Sequence, residues 1–528
     1  MSFPFSDSLP AVTFAGVDFA WPDGTAALTG ITGSFGIGRT GLVGTNGAGK
    51  STLFRLITGE LTATAGHITR SGPVAYLPQA LTLAADASIA ELLGVAEQLA
   101  ALRAIESGDA DVTHFEVVGD DWDIETRVDV ALRDIGFGSR DLDRRVGELS
   151  GGEAMLVALT GLRLQAAPIT LLDEPTNNLD RAARAALARL VDAWPGALIV
   201  ASHDTALLEQ MDDTAELYDG RLTTFGGPYR AWREHLESEQ AAARAAVRTA
   251  EQAIKVEKRQ RVDAETRLAR RHRAAQVARQ NKRAAKIVMN QNAANAQVSA
   301  GKLRASSGSR LADARADAET AAARVRRDEH IRVVLPDPDV PTSRRLAELP
   351  GVDGPLIVQG PERIGLDGPN GVGKTTLLEA LRTGAAGRLL TDRVGYLPQR
   401  LDHLDDTVSA FDAVSAISGS EPQAVRAQLA RFLLDADSVT RPVGTLSGGE
   451  RFRVALAQLL LADPPPQLLL LDEPTNNLDL ASVDQLVEAL AAYRGAFIVV
   501  SHDAGFLARL DLRRRLTMPR AGELIDAG

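Results

Sequence analysis

Two eight-residue stretches carry the plainest chemistry in this sequence: Gly44-Thr45-Asn46-Gly47-Ala48-Gly49-Lys50-Ser51 and Gly368-Pro369-Asn370-Gly371-Val372-Gly373-Lys374-Thr375. Both satisfy G-x-x-x-x-G-K-[ST], the pattern of a loop that cradles phosphate. Its glycines let successive backbone N–H groups point into one concavity at a helix N-terminus, where the dipole favours an anion. The lysine supplies a point charge for β- and γ-phosphates, and the Ser or Thr hydroxyl suits a Mg2+ ion bound with them. Further on, Pro168-Ile169-Thr170-Leu171-Leu172-Asp173-Glu174 and Leu470-Leu471-Asp472-Glu473 read as buried strands that end in paired carboxylates. Ala197-Leu198-Ile199-Val200-Ala201-Ser202-His203 and Val499-Val500-Ser501-His502 end in a histidine in the same way.

The elements that must position these groups follow from their flanks. Thr40-Gly41-Leu42-Val43 is a short apolar strand before the first loop, and Lys50 to Leu56 reads as the helix after it. Strand, loop, helix is the context the phosphate motif requires. Val74-Ala75-Tyr76-Leu77-Pro78-Gln79 is a strand ending in a glutamine, and residues 80–148 are predicted largely helical, with Ile89, Leu92, Leu93, Val95 and Leu99 at mixed 3–4 spacing. Leu149-Ser150-Gly151-Gly152-Glu153 then opens another helix. The second half repeats the order, with Gln399 closing Tyr396-Leu397-Pro398 and with Leu446-Ser447-Gly448-Gly449-Glu450. A set of motifs recurring in one order is a duplicated large domain, not a short-period repeat.

Length and composition agree with this. A chain of 528 residues exceeds what one core supports, and 45% hydrophobic content is ample for two α/β domains. There is no cysteine, so disulfides and thiolate metal sites are excluded. No basic-then-apolar leader opens the sequence and no apolar run reaches the ~20 residues that span a bilayer, so a soluble, cytoplasmic protein is predicted. The net charge of −11 hides an asymmetry. Residues 228–330 hold 23 Lys/Arg against 12 Asp/Glu, and from Thr266 to Ala312 there is no acidic residue. This segment has high helix propensity, no proline between Arg233 and Asp328, and apolar residues too sparse for a core. Two antiparallel helices of ~40 residues, turning within Asn290 to Gly308, are expected, each ~60 Å long at 1.5 Å per residue. Dense Lys/Arg without aromatics suits phosphate backbone more than stacked bases, hence a structured RNA read by shape. Arg270, Arg271, Arg273, Lys282, Arg283 and Lys286 are the candidate contacts.

The ordered motifs resemble the ATP-binding-cassette ATPases over about four-fifths of the chain. Two cassettes without a membrane segment, joined by a charged helical linker, resemble the ABC-F subfamily, whose characterised members generally act on the ribosome. The resemblance implies domains over 1–232, 233–330 and 331–528, with a helical arm insertion at about 80–148, and ATP and Mg2+ as cofactors. It implies Glu174 and Glu473 as the groups that polarise the attacking water, with His203 and His502 reaching the γ-phosphate. Ser51, Gln79 and Asp173, and likewise Thr375, Gln399 and Asp472, would hold the metal shell. ATP would lie between the phosphate loop of one cassette and the signature of the other. One site then comprises Gly44, Asn46, Gly47, Gly49, Lys50, Ser51 and Thr52 with Ser447, Gly448 and Gly449. The other comprises Gly368, Asn370, Gly371, Gly373, Lys374, Thr375 and Thr376 with Ser150, Gly151 and Gly152. Asn178-Leu179-Asp180 and Asn477-Leu478-Asp479 would cross between them. Both sites keep glutamate and histidine, so both are expected to hydrolyse ATP.

Three departures make the sites unequal in surroundings. Trp21 stands where the family places an adenine-stacking aromatic, whereas Arg332 to Gln359 contains none. Ala154-Met155 replaces the polar and basic residues usual after the first signature. Gln79 and Leu149 are 70 positions apart but Gln399 and Leu446 only 47, so the first cassette carries about 23 extra residues near Ala100 to Asp123. The expected partner is the ribosome, through tRNA and rRNA near the peptidyl-transferase centre, in translation or antibiotic protection. A branched-DNA ATPase and a transporter's ATPase subunit are the alternatives. Two cassettes on one chain make a monomer sufficient, since the partner cassette is always at high effective concentration.

Overall fold

The structure, a computed structural model, describes residues 10–79, 85–177, 179–280, 305–306, 308–326, 335–476 and 478–527, without the side chains of a few residues near the end of the long central helix. In the first cassette the strands are β1 (Val12–Ala20), β2 (Ala26–Phe35), β3 (Arg39–Val43), β4 (Ala65–Arg70), β5 (Val74–Leu77), β6 (Ile169–Asp173), β7 (Ala197–Ala201), β8 (Asp213–Tyr218) and β9 (Arg221–Gly226). A six-stranded sheet has the order β5-β6-β7-β3-β8-β9, parallel except for β9, and an antiparallel sheet has the order β2-β1-β4. The second cassette repeats this with β10 (Arg345–Gly351), β11 (Gly354–Gln359), β12 (Arg363–Asp367), β13 (Arg388–Leu389), β14 (Val394–Leu397), β15 (Leu468–Asp472), β16 (Ala496–Val500), β17 (Arg514–Arg520) and β18 (Glu523–Asp526). Its sheets run β14-β15-β16-β12-β17-β18 and β11-β10-β13. Two α/β cassettes with matching strand orders are what the repeated motif order predicts.

The central parallel strands β6, β7, β15 and β16 are buried along their whole length, which is why they read as unbroken apolar runs. Alternation still sorts their side chains by face. Leu171 joins the core with Phe54, Ile57 and Ile199, while Leu172 joins Leu156, Leu159 and Leu190 on the other side. Each such leucine contributes about 1.5–3 kcal/mol by leaving water.

Register then places the chemistry. Asp173 pairs with Ala201 and Leu42 with the same Ala201, so β3, β6 and β7 finish level. Asp472 opposite Val500 and Leu366 opposite Val500 repeat the arrangement in the second cassette. Phosphate loop, carboxylate pair and histidine therefore leave one carboxyl edge of each sheet, where open parallel sheets bind ligands.

Between β5 and the first signature lie helices Ile89–Leu92, Ala96–Glu106, Val112–Val118 and Ile124–Arg133, against Ala410–Ser415, Pro422–Arg431 and Ala436–Thr440 in the second cassette. The extra residues of the first cassette are helical and carry the exposed Phe115 and Trp122, whose ring centroids are 6.0 Å apart.

Arg230–Asp328 clusters as a separate unit. Its first helix, Tyr229–Gln280, is 52 residues long, about 78 Å at 1.5 Å per residue. That exceeds the ~40 residues expected, because nothing between Pro228 and Gln280 interrupts helix propensity. Helix resumes over residues 308–322. The second arm returns alongside the first: Gln240 accepts from the Arg326 backbone N–H at 2.8 Å and donates to the Arg324 carbonyl at 3.3 Å. Most of the expected turn, and Lys282, Arg283 and Lys286, lie outside the described residues. Arg270 and Arg273 are exposed on the first arm. Arg271 also lies on that helix, but its side chain is outside the described ones.

Candidate nucleotide sites

Each phosphate loop turns into its helix through a glycine. Gly49 and Gly373 cap helices Lys50–Thr58 and Lys374–Thr383 with φ of 98° and 102°, a left-handed conformation that a side chain would strain. Gly44 meets a different limit: a Cβ there would lie 2.6 Å from the Leu217 carbonyl oxygen. Both lysines curl back over their own loops. Lys50 Nζ donates to the carbonyls of Gly44 (2.7 Å) and Thr45 (3.4 Å), and Lys374 Nζ to those of Gly368 (2.7 Å) and Pro369 (2.9 Å). The loops are thus held in the shape that presents their N–H groups.

Behind each lysine stand the histidine and the glutamate. Lys50 Nζ is 3.2 Å from His203 Nε2, which is 3.2 Å from Glu174 Oε1; in the second cassette the separations are 3.0 Å for Lys374 to His502 and 3.4 Å for His502 to Glu473. One Nε2 cannot serve both neighbours in one tautomer, so each histidine has two alternative partners. Glu174 and Glu473 adopt φ of 49° and 46°, rare for a non-glycine residue, and their backbone N–H groups donate to the carbonyls of Ala201 and Val500. That turn aims the carboxylate back across the end of the neighbouring strand.

The electrostatics of the two corners match. Burial pushes the Glu174 carboxyl up to about 8 and that of Glu473 to about 7, opposed by the nearby lysines. Burial also holds His203 down at about 3 and His502 at about 4, reinforced by the same lysines. Burial raises Asp173 and Asp472 as well. Asp173 accepts from the Tyr76 hydroxyl at 3.3 Å. Thr375 and Tyr396 approach Asp472 closely enough to counter its shift, yet neither of its oxygens has a well-formed hydrogen bond. Nδ1 of both histidines is likewise buried without a hydrogen-bond partner, while Oε1 of each glutamate faces the Nε2 of its histidine. Buried polar atoms rarely go unsatisfied. These corners are shaped for partners beyond the chain's own groups.

A carboxyl that acts as a base must be ionised, so hydrolysis that uses Glu174 or Glu473 is expected to rise with pH across the neutral range into which burial moves them. Both Glu473→Gln protein, which keeps Glu174, and Glu174→Gln protein, which keeps Glu473, are expected to show this rise well above the usual carboxylate range. Rate profiles of the two variants between pH 5.5 and 9 check this, and a rate already at its plateau at pH 5.5 contradicts it.

Across the cassettes, the two Asn-Leu-Asp turns touch the opposite phosphate loops. Asp479 Oδ2 accepts from the Asn46 backbone N–H at 2.8 Å and Asp180 Oδ2 from that of Asn370 at 3.4 Å. Their other oxygens cap the helices Leu480–Ala492 and Arg181–Asp192. Asn178 and Asn477 lie outside the described residues.

A cavity of about 640 Å3 at the first loop is lined by Trp21, Asn46, Gly47, Gly49, Lys50, Ser51, Thr52, Gln79, Asp173, Glu174 and His203, with Gly448, Leu478 and Val483 from the other cassette. Trp21 is 37% exposed at its rim and packs edge-on against Phe19 at 5.1 Å. A cavity of about 330 Å3 at the second loop is lined by Asn370, Gly371, Gly373, Lys374, Thr375, Thr376, Gln399, Asp472, Glu473 and His502, with Leu179 and Arg184 from the first cassette. Among the described residues, none from 335–359 borders it.

The signatures are placed differently. Ser150, Gly151 and Gly152 do not line the second cavity, and Ser447 and Gly449 do not line the first. Both serines are engaged in capping boxes, accepting from the backbone N–H of Glu153 and of Glu450. The residues that sequence reading missed are Arg184, Asp204, Asp503 and the tyrosines Tyr76 and Tyr396. Comparing the two copies of the motif position by position would have flagged Arg184, because its counterpart is Val483.

Known proteins carry the same pattern. The family described as "ABC transporter" matches residues 32–177 and 356–476. The Streptomyces fradiae "Tylosin resistance ATP-binding protein TlrC" is 32% identical, covering 89% of this chain and 90% of that one. The Arabidopsis thaliana "ABC transporter F family member 5" is 26% identical, covering 89% and 70%. Among solved structures, the archaeal ribosome recycling factor aABCE1, in complex with ribosomal stalk protein aP1, superposes with a TM-score of 0.59 at 20% identity, covering 96% of this chain and 88% of that one, a likeness of fold. With two matched cassettes and a full-length relative at this identity, the chain belongs to the ATP-binding-cassette family, is of the ABC-F type, and is an ATPase.

Proposed function

We propose that this ATPase binds two ATP·Mg2+ between its cassettes and acts on the ribosome, its basic hairpin contacting tRNA or rRNA near the peptidyl-transferase centre. ATP would lie on each phosphate loop with the opposite Asp479 or Asp180 at its edge. The hard-oxygen sets Ser51, Gln79, Asp173 and Thr375, Gln399, Asp472 fit Mg2+, and the buried, unpartnered oxygens of Asp472 support that fit. Bound there, the ion would neutralise charge on the β- and γ-phosphates. Glu174 and Glu473 orient water and accept its proton, while neutral His203 and His502 sit one hydrogen bond from both base and lysine. Nucleotide-driven closure would tighten the signatures onto the phosphates and so gather Ser150 and Ser447 into the sites.

The observation that carries the ribosomal reading is the charge map: a segment with no acidic residue from Thr266 to Ala312 joins two acidic cassettes. Such a segment rewards phosphate contact. The names of TlrC and of the recycling factor support it, since one confers drug resistance and the other is a ribosomal factor. No helix among the described residues is long and apolar enough to cross a membrane. The test is stimulation of ATPase activity by ribosomes and by four-way DNA junctions. Stimulation by ribosomes that weakens with salt is expected; stimulation by junctions alone overturns the proposal.

A further inference from the structure

Because the cassettes are copies, each break in their symmetry marks a difference between the sites. Four residues after Asp180 stands Arg184, and four residues after Asp479 stands Val483. Each is one helical turn beyond the aspartate that touches the opposite loop, so each faces the other cassette's nucleotide site. Val483, 7% exposed, lines the first cavity. Arg184 lines the second beside Lys374, Thr375, Glu473 and His502. Its Nε donates to the Leu179 carbonyl at 3.1 Å and its Nη1 to Asp204 Oδ2 at 2.7 Å, with side chains 21% and 9% exposed. Two bonds leave three of the five guanidinium N–H donors for another acceptor.

Arg184 also borders the first cavity, together with Asp204 and Asp503. It is among the charges that act on Glu473, His502 and Asp503, whereas Lys50, Asp173 and Asp479 are among those that act on Glu174 and His203. Asp503 follows His502, and the charges of Asp204 and Arg184 from the first cassette both act on it, so the ion pair lies near it where the cassettes meet.

We propose that Arg184 is a residue of the second nucleotide site, supplied across the cassette interface, which sets a fixed positive charge beside the triphosphate on Lys374 and Thr375. The first site has valine in the equivalent place. During hydrolysis the water oxygen bonds to Pγ, the Pγ–O bond to the β-phosphate breaks, and the water proton passes to Glu473 and on to solvent. Arg184 keeps its proton throughout and acts by stabilising charge that builds on the phosphate oxygens. The second site is therefore the faster of the two. This inference rests on the ATPase assignment and not on the ribosomal one.

Single-turnover hydrolysis in Glu174→Gln protein, which leaves the second site active, and in Glu473→Gln protein, which leaves the first, tests it. Removing Arg184 alone would strand the buried Asp204, so Arg184→Val is combined with Asp204→Asn and compared with Asp204→Asn alone. The expected loss at the second site is roughly 10–100-fold, below the 10³–10⁵ of a dedicated arginine finger because Asp204 shares the guanidinium. Arg184→Lys restores part of that rate, which a purely packing role would not require. A second-site loss more than about threefold greater than the first-site loss supports the proposal; equal losses, or no loss, overturn it.

Discussion

Glu174→Gln combined with Glu473→Gln lowers steady-state ATP turnover by about 10³-fold or more while ATP binding persists. General bases contribute roughly 10²–10⁴-fold. Each glutamate is the last group its strand delivers, 6% and 9% exposed, with one carboxylate oxygen facing the Nε2 of His203 or His502. Glutamine matches the carboxylate in volume and keeps an acceptor for the His203 or His502 backbone N–H, so the turn at φ near 50° survives. What it removes is the ability to take a proton. The check is phosphate release alongside binding of a fluorescent ATP analogue. Turnover within tenfold of wild type would show that another group is the base.

Lys50→Met and Lys374→Met have the next largest effect, each disabling the site it belongs to. Each lysine is 8% exposed and bonds two carbonyls of its own loop, so methionine loses both the loop's brace and the charge that meets phosphate. Burial lowers the pKa of both ammonium groups, and the neighbouring glutamates oppose that shift. A bound triphosphate adds negative charge in the same place, which strengthens the ammonium form. Loss of such a preorganised donor costs roughly 10²–10³-fold in rate. Titration with the fluorescent analogue is expected to show one tight site in each single variant. Two tight sites in Lys50→Met protein would contradict the role given to Lys50.

The fold was legible because hydrophobic pattern and motif order said the same thing twice. Short unbroken apolar runs such as Leu468–Leu471, ending in the repeated motifs, read as interior parallel strands, and the carboxylates and histidines at their ends share one edge once register is set. Local pattern could not reveal partners that meet only across cassettes. Arg184 reads as an ordinary helix residue until the fold brings it to Lys374 and His502. The serines of the two signatures illustrate the opposite limit. Ser-x-x-Glu is a capping box by its spacing alone, and that is the use the structure makes of Ser150 and Ser447. The first linker helix runs to 52 residues, because propensity has no natural stop where neither proline nor glycine intervenes.

The central claim, that the cassettes drive a basic hairpin onto the ribosome, is tested most directly by sedimenting the Glu174→Gln/Glu473→Gln protein with ribosomes through a sucrose cushion. Bound but unhydrolysed ATP should hold the cassettes closed, so the protein pellets with ribosomes in ATP, stays in the supernatant with ADP, and is released as salt rises. Protein that remains in the supernatant with ATP at low salt would contradict the claim.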